Sequence, residues 1–151
     1  MIPEEEILGY IHEMGYLTIK LKEVLPSFYK LADGTILEAA IIIESIVPDP
    51  RQQSGYQIRT RHYSVAYVPQ NERKPTEYKP FNPAEILTDI VSDDVEAERL
   101  REEFSTYELS NGMILSIKAV VGQIQKSRKR TEFGEPIYSI NINPIYKFKK
   151  K

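Results

Sequence analysis

The chain has 151 residues, 41% of them apolar and 28% charged, with no cysteine, no tryptophan and only two histidines. That length is enough for one domain with a real core, and the composition is that of a globular chain, not a disordered one. The missing cysteines exclude disulfides, thiolate nucleophiles and thiolate metal sites; His12 and His62 alone exclude a histidine cluster, which leaves only a carboxylate site for magnesium or calcium.

The opening MIPEEEILGY carries neither a basic n-region nor a long apolar stretch, and no run approaches the length of a membrane span. The expectation is a cytoplasmic protein with no membrane association. The net charge of −2 hides an alternation. Lys and Arg number 3 against 9 Asp and Glu over residues 1–50, 6 against 2 over 51–80, 2 against 9 over 81–110, and 9 against 2 over 111–151. Binding responds to the local field and not to the total, so nucleic acid and an acidic protein surface both stay open as partners.

In chain order, Pro3 and Glu4 to Glu6 open a helix bearing Ile7, Leu8, Ile11 and Met14, with Gly15 at its end. Residues 18–25 fit a short helix or a strand equally well. Residues 29–37, YKLADGTIL, then hold Asp33-Gly34, a dipeptide favoured in type I′ hairpin turns, where both central residues take positive φ. Phe28 to Ala32 pairs back on Thr35 to Val47, in which Leu37, Ala39, Ile41 and Ile43 alternate with Glu38 and Glu44. A third strand alternates through Tyr63, Val65 and Tyr67, read as core positions, and completes an antiparallel meander. Residues 69–83, PQNERKPTEYKPFNP, read as an extended linker. Asn82-Pro83-Ala84-Glu85 offers a helix start, with Ile86, Leu87, Ile90 and Val91 as its stripe. Ser92-Asp93-Asp94 caps a second predicted helix carrying Ala97, Leu100 and Phe104.

Residues 107–115, YELSNGMIL, then repeat the earlier nonapeptide. Beyond it, Ile36, Leu37, Ile42, Ile43 and Ile46 fall on Ile114, Leu115, Val120, Val121 and Ile124. Tyr63-Ser64-Val65 is matched to Tyr138-Ser139-Ile140, with a shorter loop in the second copy, and Glu6-Ile7-Leu8 to Glu85-Ile86-Leu87. The pattern predicts one domain over 1–151 with an internal duplication: repeat one about 1–69, linker 70–82, repeat two about 83–148. The predicted class is α+β, mainly antiparallel β. Two helix-plus-three-stranded-meander repeats would form one pseudo-two-fold barrel or sandwich that hides its sheet edges. The alternative is an OB-like barrel with a helix between strands 3 and 4. Asp33-Gly34 and Asn111-Gly112 are then chain reversals with no binding role.

No GxGxxG, Walker loop, GxSxG or HExxH occurs. The expected function is a non-catalytic binding or assembly module without a cofactor. The candidate working surface is a pair of basic hairpin loops, Arg51, Arg59 and Arg61 in the first and Lys126, Arg128, Lys129 and Arg130 in the second. Such tips grip phosphates, and Tyr56 and Phe133 lie near enough in sequence to stack on bases. Lys147 and Lys149 to Lys151 add a basic tail. One alternative is a small enzyme with a site between the repeats. The other is a homodimer or larger homo-oligomer, in which acidic helical segments of one copy meet basic segments of the next.

Overall fold

The computed structural model describes residues 1–75 and 78–150; the linker positions Thr76 and Glu77 and the tail residue Lys151 lie outside the described residues. Helix α1 (Glu4–Glu13) precedes nine strands: β1 (Ile19–Glu23), β2 (Ser27–Leu31), β3 (Ile36–Pro48), β4 (Tyr56–Tyr67), β5 (Ile90–Ser92), β6 (Ala97–Arg101), β7 (Ser105–Leu109), β8 (Met113–Arg130) and β9 (Pro136–Lys150). They form two antiparallel sheets that do not close into a barrel. The four-stranded sheet runs β4-β3-β2-β6. The five-stranded sheet runs β1-β7-β8, with β9 along one flank of β8 and β5 beside β8 beyond the end of β7.

The two meanders are where the period of two placed them, β2-β3-β4 and β7-β8-β9. Between the sheets lie Ala39, Ile41, Ile43 and Ile46 of β3 against Tyr107, Leu109, Leu115, Ile117 and Ala119 of the other sheet. The bulges between Ile43 and Ser45 and between Val121 and Ile124 each shift the alternation. Each thereby brings a later isoleucine, Ile46 or Ile124, into the interior. The strand before each meander joins the opposite sheet: β1 pairs with β7, and β6 pairs with β2. β6 and β7 begin 78 positions after β1 and β2 respectively.

Three expectations need correction. Residues 83–104 hold no α-helix. The Asn82 cap does form, its side chain accepting from Ala84 N–H at 3.1 Å, but it opens only a 3₁₀ turn at Pro83–Glu85. A helix of that length is marginal alone, and the backbone bonds go elsewhere: β5 pairs with β8, Val95 N–H donates to Ile124 O, and β6 pairs with β2. Of the segment 18–25, left open between helix and strand, Ile19–Glu23 is the strand β1. The turns are not type I′, since among the described residues only glycines have positive φ and Asp33 and Asn111 do not. Gly34 N–H donates to Leu31 O and Leu31 N–H to Thr35 O, a type I turn closed by a glycine bulge; Gly34 and Gly112 supply the left-handed residue. Finally, Tyr138 sits opposite Lys126 and Tyr63 opposite Ala40, so the two tyrosines occupy different levels of their hairpins. The second hairpin has the longer strands, 18 residues in β8 against 13 in β3.

Candidate functional site

The basic stretch of the second hairpin lies inside β8, and its charges are already engaged. Lys126 bonds Asp33 at 2.9 Å and approaches Glu72 at 3.7 Å, with only a fifth of its side chain exposed. Arg128 meets Asp89 at 3.1 Å. Lys129 lies 3.6 Å from Glu85 and 3.7 Å from Asp89. Arg130 donates to the carbonyls of Glu72 at 2.7 Å and Gly134 at 2.8 Å. These contacts tie Glu72, Glu85 and Asp89 to β8, and Lys74 N–H donates to Gly134 O at 2.9 Å, so the start of the proline-rich stretch is docked at the hairpin tip.

Of the first set, Arg51 is held by both oxygens of Asp49 at 3.0 and 3.2 Å, which lowers the Asp49 carboxyl below its usual range. Arg61 pairs with Glu44 at 3.2 Å while remaining largely exposed. Arg59 is exposed and makes no ion pair among the described residues.

The structure does not bring the two basic tips together. The tip after β3 lies beside the β7–β8 turn, where Asn111 donates to the Tyr56 hydroxyl at 3.0 Å and Tyr56 stacks on Phe148 at 4.7 Å. Lys126 lies beside the Asp33 turn at the other end of β3, about 40 Å away at the rise of an extended chain, and the tip after β8 lies beyond it. Tyr56 is thus committed within the protein, whereas Phe133 is exposed.

Asp33 has a role beyond the turn. Its Oδ1 accepts from Thr35 N–H at 2.9 Å, and its Oδ2 accepts from Lys126 Nζ and from the Tyr138 hydroxyl across the sheet gap. Thr35 Oγ1 lies 3.2 Å from the same hydroxyl. Burial pulls the Asp33 carboxyl up, but the bonds from Tyr138, Lys126 and Thr35 outweigh it and bring the pKa to about 2. Burial and the Asp33 bond push Tyr138 well above the usual phenol range. A second cluster has the same chemistry. Tyr29 donates to Glu102 at 2.5 Å and accepts from Val121 N–H at 3.1 Å, while Lys118 and Arg99 each lie 3.7 Å from Glu102. Burial first, then the Glu102 bond, raise Tyr29 to about 12. In both, a deep tyrosine on one sheet is tied to a carboxylate and a lysine that span the gap. Each phenol donates to a carboxylate that also meets a cation, so each cluster links the two sheets. Apolar side chains make up most of the remaining interior between the sheets.

The surface that sequence reasoning missed is the outer face of the four-stranded sheet. Cross-strand register places Ile36 opposite Tyr67, Glu38 opposite Val65, Ala40 opposite Tyr63 and Ile42 opposite Arg61. These are the outward positions, since Leu37, Ala39 and Ile41 point inward. The predicted core stripe of β4 is therefore out of phase. Val65 is 39% exposed, Tyr67 53%, and Ile42, farther along the same face, 43%. Tyr63 and Tyr67 donate to the two oxygens of Glu38 at 3.0 and 2.9 Å. The signal was present in Glu38 and Glu44, which mark the outward phase of β3 and hence of whatever pairs with it.

Among the described residues no group of three or more His, Cys, Asp and Glu side chains is placed to hold a metal ion, and no helix is long and apolar enough to cross a membrane. No protein-family model, no curated protein and no solved structure matches the chain.

Proposed function

We propose that the chain is a non-catalytic binding module that takes an acidic, amphipathic helix of a protein partner on the outer face of its four-stranded sheet. The observation that supports it is the coincidence, on that face, of exposed Ile42, Val65 and Tyr67 with the neighbouring Arg59 and Arg61. A helix laid on a sheet is an ordinary layer of protein architecture. β4 is an edge strand of 12 residues without a lysine or proline, the usual guards of such an edge, whereas β9 carries Pro144 and Lys147. Nucleic acid, which needs a row of free cations, suits this face less well: Arg61 is already paired with Glu44, and Arg59 is the neighbouring arginine without an ion pair among the described residues. The basic hairpin residues outside this face are mostly engaged with carboxylates or backbone carbonyls, which weighs the same way. The duplication is part of this reading. Its support is the constant spacing of β1, β2, β6 and β7, and the unit is a strand plus a meander, with no helix in the second copy.

Fluorescence anisotropy with a labelled synthetic helix, glutamates on one face and Ile, Tyr and Met on the next, tests the proposal beside labelled single-stranded RNA. The helix should bind saturably, more weakly at higher salt, and lose binding in Val65→Asp and in Arg61→Glu. RNA binding instead, with log K falling against log salt at a slope of about −4, would transfer the reading to nucleic acid. Binding of neither at low salt would remove this face as a working surface.

A further inference from the structure

Apart from that reading, we infer that the free edge of β4 is a dimer seam, along which β4 of a second copy of this chain pairs antiparallel. β4 ends the order of its sheet, so one side of its backbone has no strand beside it. The hydrogen bonds around β3 determine which groups face that side, because backbone groups alternate sides along a strand. Leu31 N–H donates to Thr35 O, which turns Leu37 and Ala39 towards β2 and Glu38, Ala40 and Ile42 towards β4. Past the bulge the phase reverses, and Ile46 O accepts from Leu17 N–H on the side away from β4. Arg59, Arg61, Tyr63 and Val65 therefore bond β3, while Ile58, Thr60, His62, Ser64 and Ala66 aim their N–H and C=O groups outward. Tyr56 has the same outward phase, but there the Ser54 hydroxyl accepts from its N–H at 3.3 Å and donates to its carbonyl at 3.1 Å. Among the described residues no group closes the run from Ile58 to Ala66 in that way.

A row of open backbone groups is complemented by another extended chain, and β4 fits itself. His62 is the middle of the open run, so a two-fold axis there uses every open group. Ile58 meets Ala66 of the other copy, Thr60 meets Ser64, and His62 meets its own counterpart, each pair exchanging two hydrogen bonds. The same register sets Arg59 opposite Val65 and Arg61 opposite Tyr63, and β4 has no acidic residue, so no like charges face each other. Neighbouring registers are worse. An axis at Arg61 opposes two guanidinium groups and leaves Ala66 unpaired, and an axis at Tyr63 leaves Ile58 unpaired. The other long edge, β9, carries Pro144, Lys147, Lys149 and Lys150, which keep a second strand away; β4 has no such guard.

Amide hydrogen exchange on the full chain, read residue by residue at rising protein concentration, tests the seam. The N–H groups of Thr60, His62 and Ser64 should exchange fast in dilute protein and about tenfold more slowly where sedimentation velocity shows a dimer. Those of Arg61 and Tyr63, bonded to β3, should be slow throughout. His62→Lys and His62→Glu test the register, because position 62 meets itself across the axis; His62 is exposed, so neither change disturbs the interior. Each variant alone should associate more weakly than wild type, and an equimolar mixture about fivefold more tightly than either. A wild type that stays monomeric at about 1 mM overturns the inference. So do alternate amides that ignore concentration, or a mixture no tighter than its components. His62 shares the phase of Ile41 and not that of the outer face, so binding of the synthetic acidic helix is measured independently of these variants.

Discussion

Replacing Gly134 by alanine tests whether the proline-rich segment is truly locked onto the second hairpin. Gly134 has φ +78°, and a Cβ there would stand 2.2 Å from Pro75 N, 2.3 Å from Lys74 C and 2.6 Å from Lys74 N. Those are backbone atoms, so no side-chain rotation relieves the overlap. The left-handed backbone alone costs about 1–2 kcal/mol for a residue with a Cβ. Forcing the two backbones apart adds about 1–3 kcal/mol, the range for overpacking. The segment can instead peel away, which forfeits the Lys74 N–H bond to Gly134 O at 2.9 Å and the Arg130 bond to Glu72 O, each worth about 1 kcal/mol. The first route totals about 2–5 kcal/mol and the second about 3–4 kcal/mol. Gly112→Ala is the control, because Gly112 has φ +86° but nothing within 4 Å of its Cβ position, so only the backbone penalty applies. Urea unfolding followed by circular dichroism should place Gly134→Ala about 2 kcal/mol below Gly112→Ala, with faster amide exchange at Lys74. If the two variants agree within about 0.5 kcal/mol, the close approach of the segment to the hairpin tip is wrong.

Lys126→Met should destabilise the fold by about 2–4 kcal/mol, because Asp33 is left between the sheets without its cation; a double-mutant cycle with Asp33→Asn should show strong coupling. Acid titration should remove about 1–2 kcal/mol as pH falls from near 4 towards 2. The Asp33 carboxyl is lowered to about 2 in the fold, so its contribution is complete above the unfolded value and disappears through that window; Asp33→Asn should flatten it. The opposite sign holds for Tyr29, which is raised to about 12. Its contribution is complete below pH 10 and fades from 10 to 12, and Tyr29→Phe should reduce that alkaline loss as read by thermal unfolding.

What was legible in the sequence is what short-range physics determines. The alternation of Leu37, Ala39, Ile41 and Ile43 against Glu38 and Glu44 fixes strand and inward face together, and β8 obeys the same rule through Leu115, Ile117 and Ala119. Pro3 with three glutamates marks a helix start for local electrostatic reasons, and the helix is there. The losses begin where a remote partner decides. Asn82 makes its cap, yet Ile90 and Val91 become strand because β8 offers them backbone partners. The period of two in Tyr63, Val65 and Tyr67 is real, but period carries no phase. Phase came from register against β3, and β4, at the edge of its sheet, leaves most of its residues exposed whichever side they face. Lys126, Lys129 and Arg128 read as free basic charge because their counter-ions Asp33, Glu72, Glu85 and Asp89 are distant in sequence. Asp33 itself shows how a turn residue can also anchor two sheets, a second task that no turn rule reveals.

The crossing of β1 and β6 makes each sheet's completeness depend on the opposite half of the chain. A cut in the stretch 78–82 should therefore not release two independent folding units. The fragment ending there would carry a meander lacking the strand that covers β2, and it would present β1 with nothing to cover. The other fragment would be deficient in the mirror sense, with β7 bare and β6 unplaced. Mixed together, each fragment supplies the strand the other lacks. The cleaved protein should thus behave as a tight two-fragment complex whose melting depends on concentration, while either fragment alone stays unfolded.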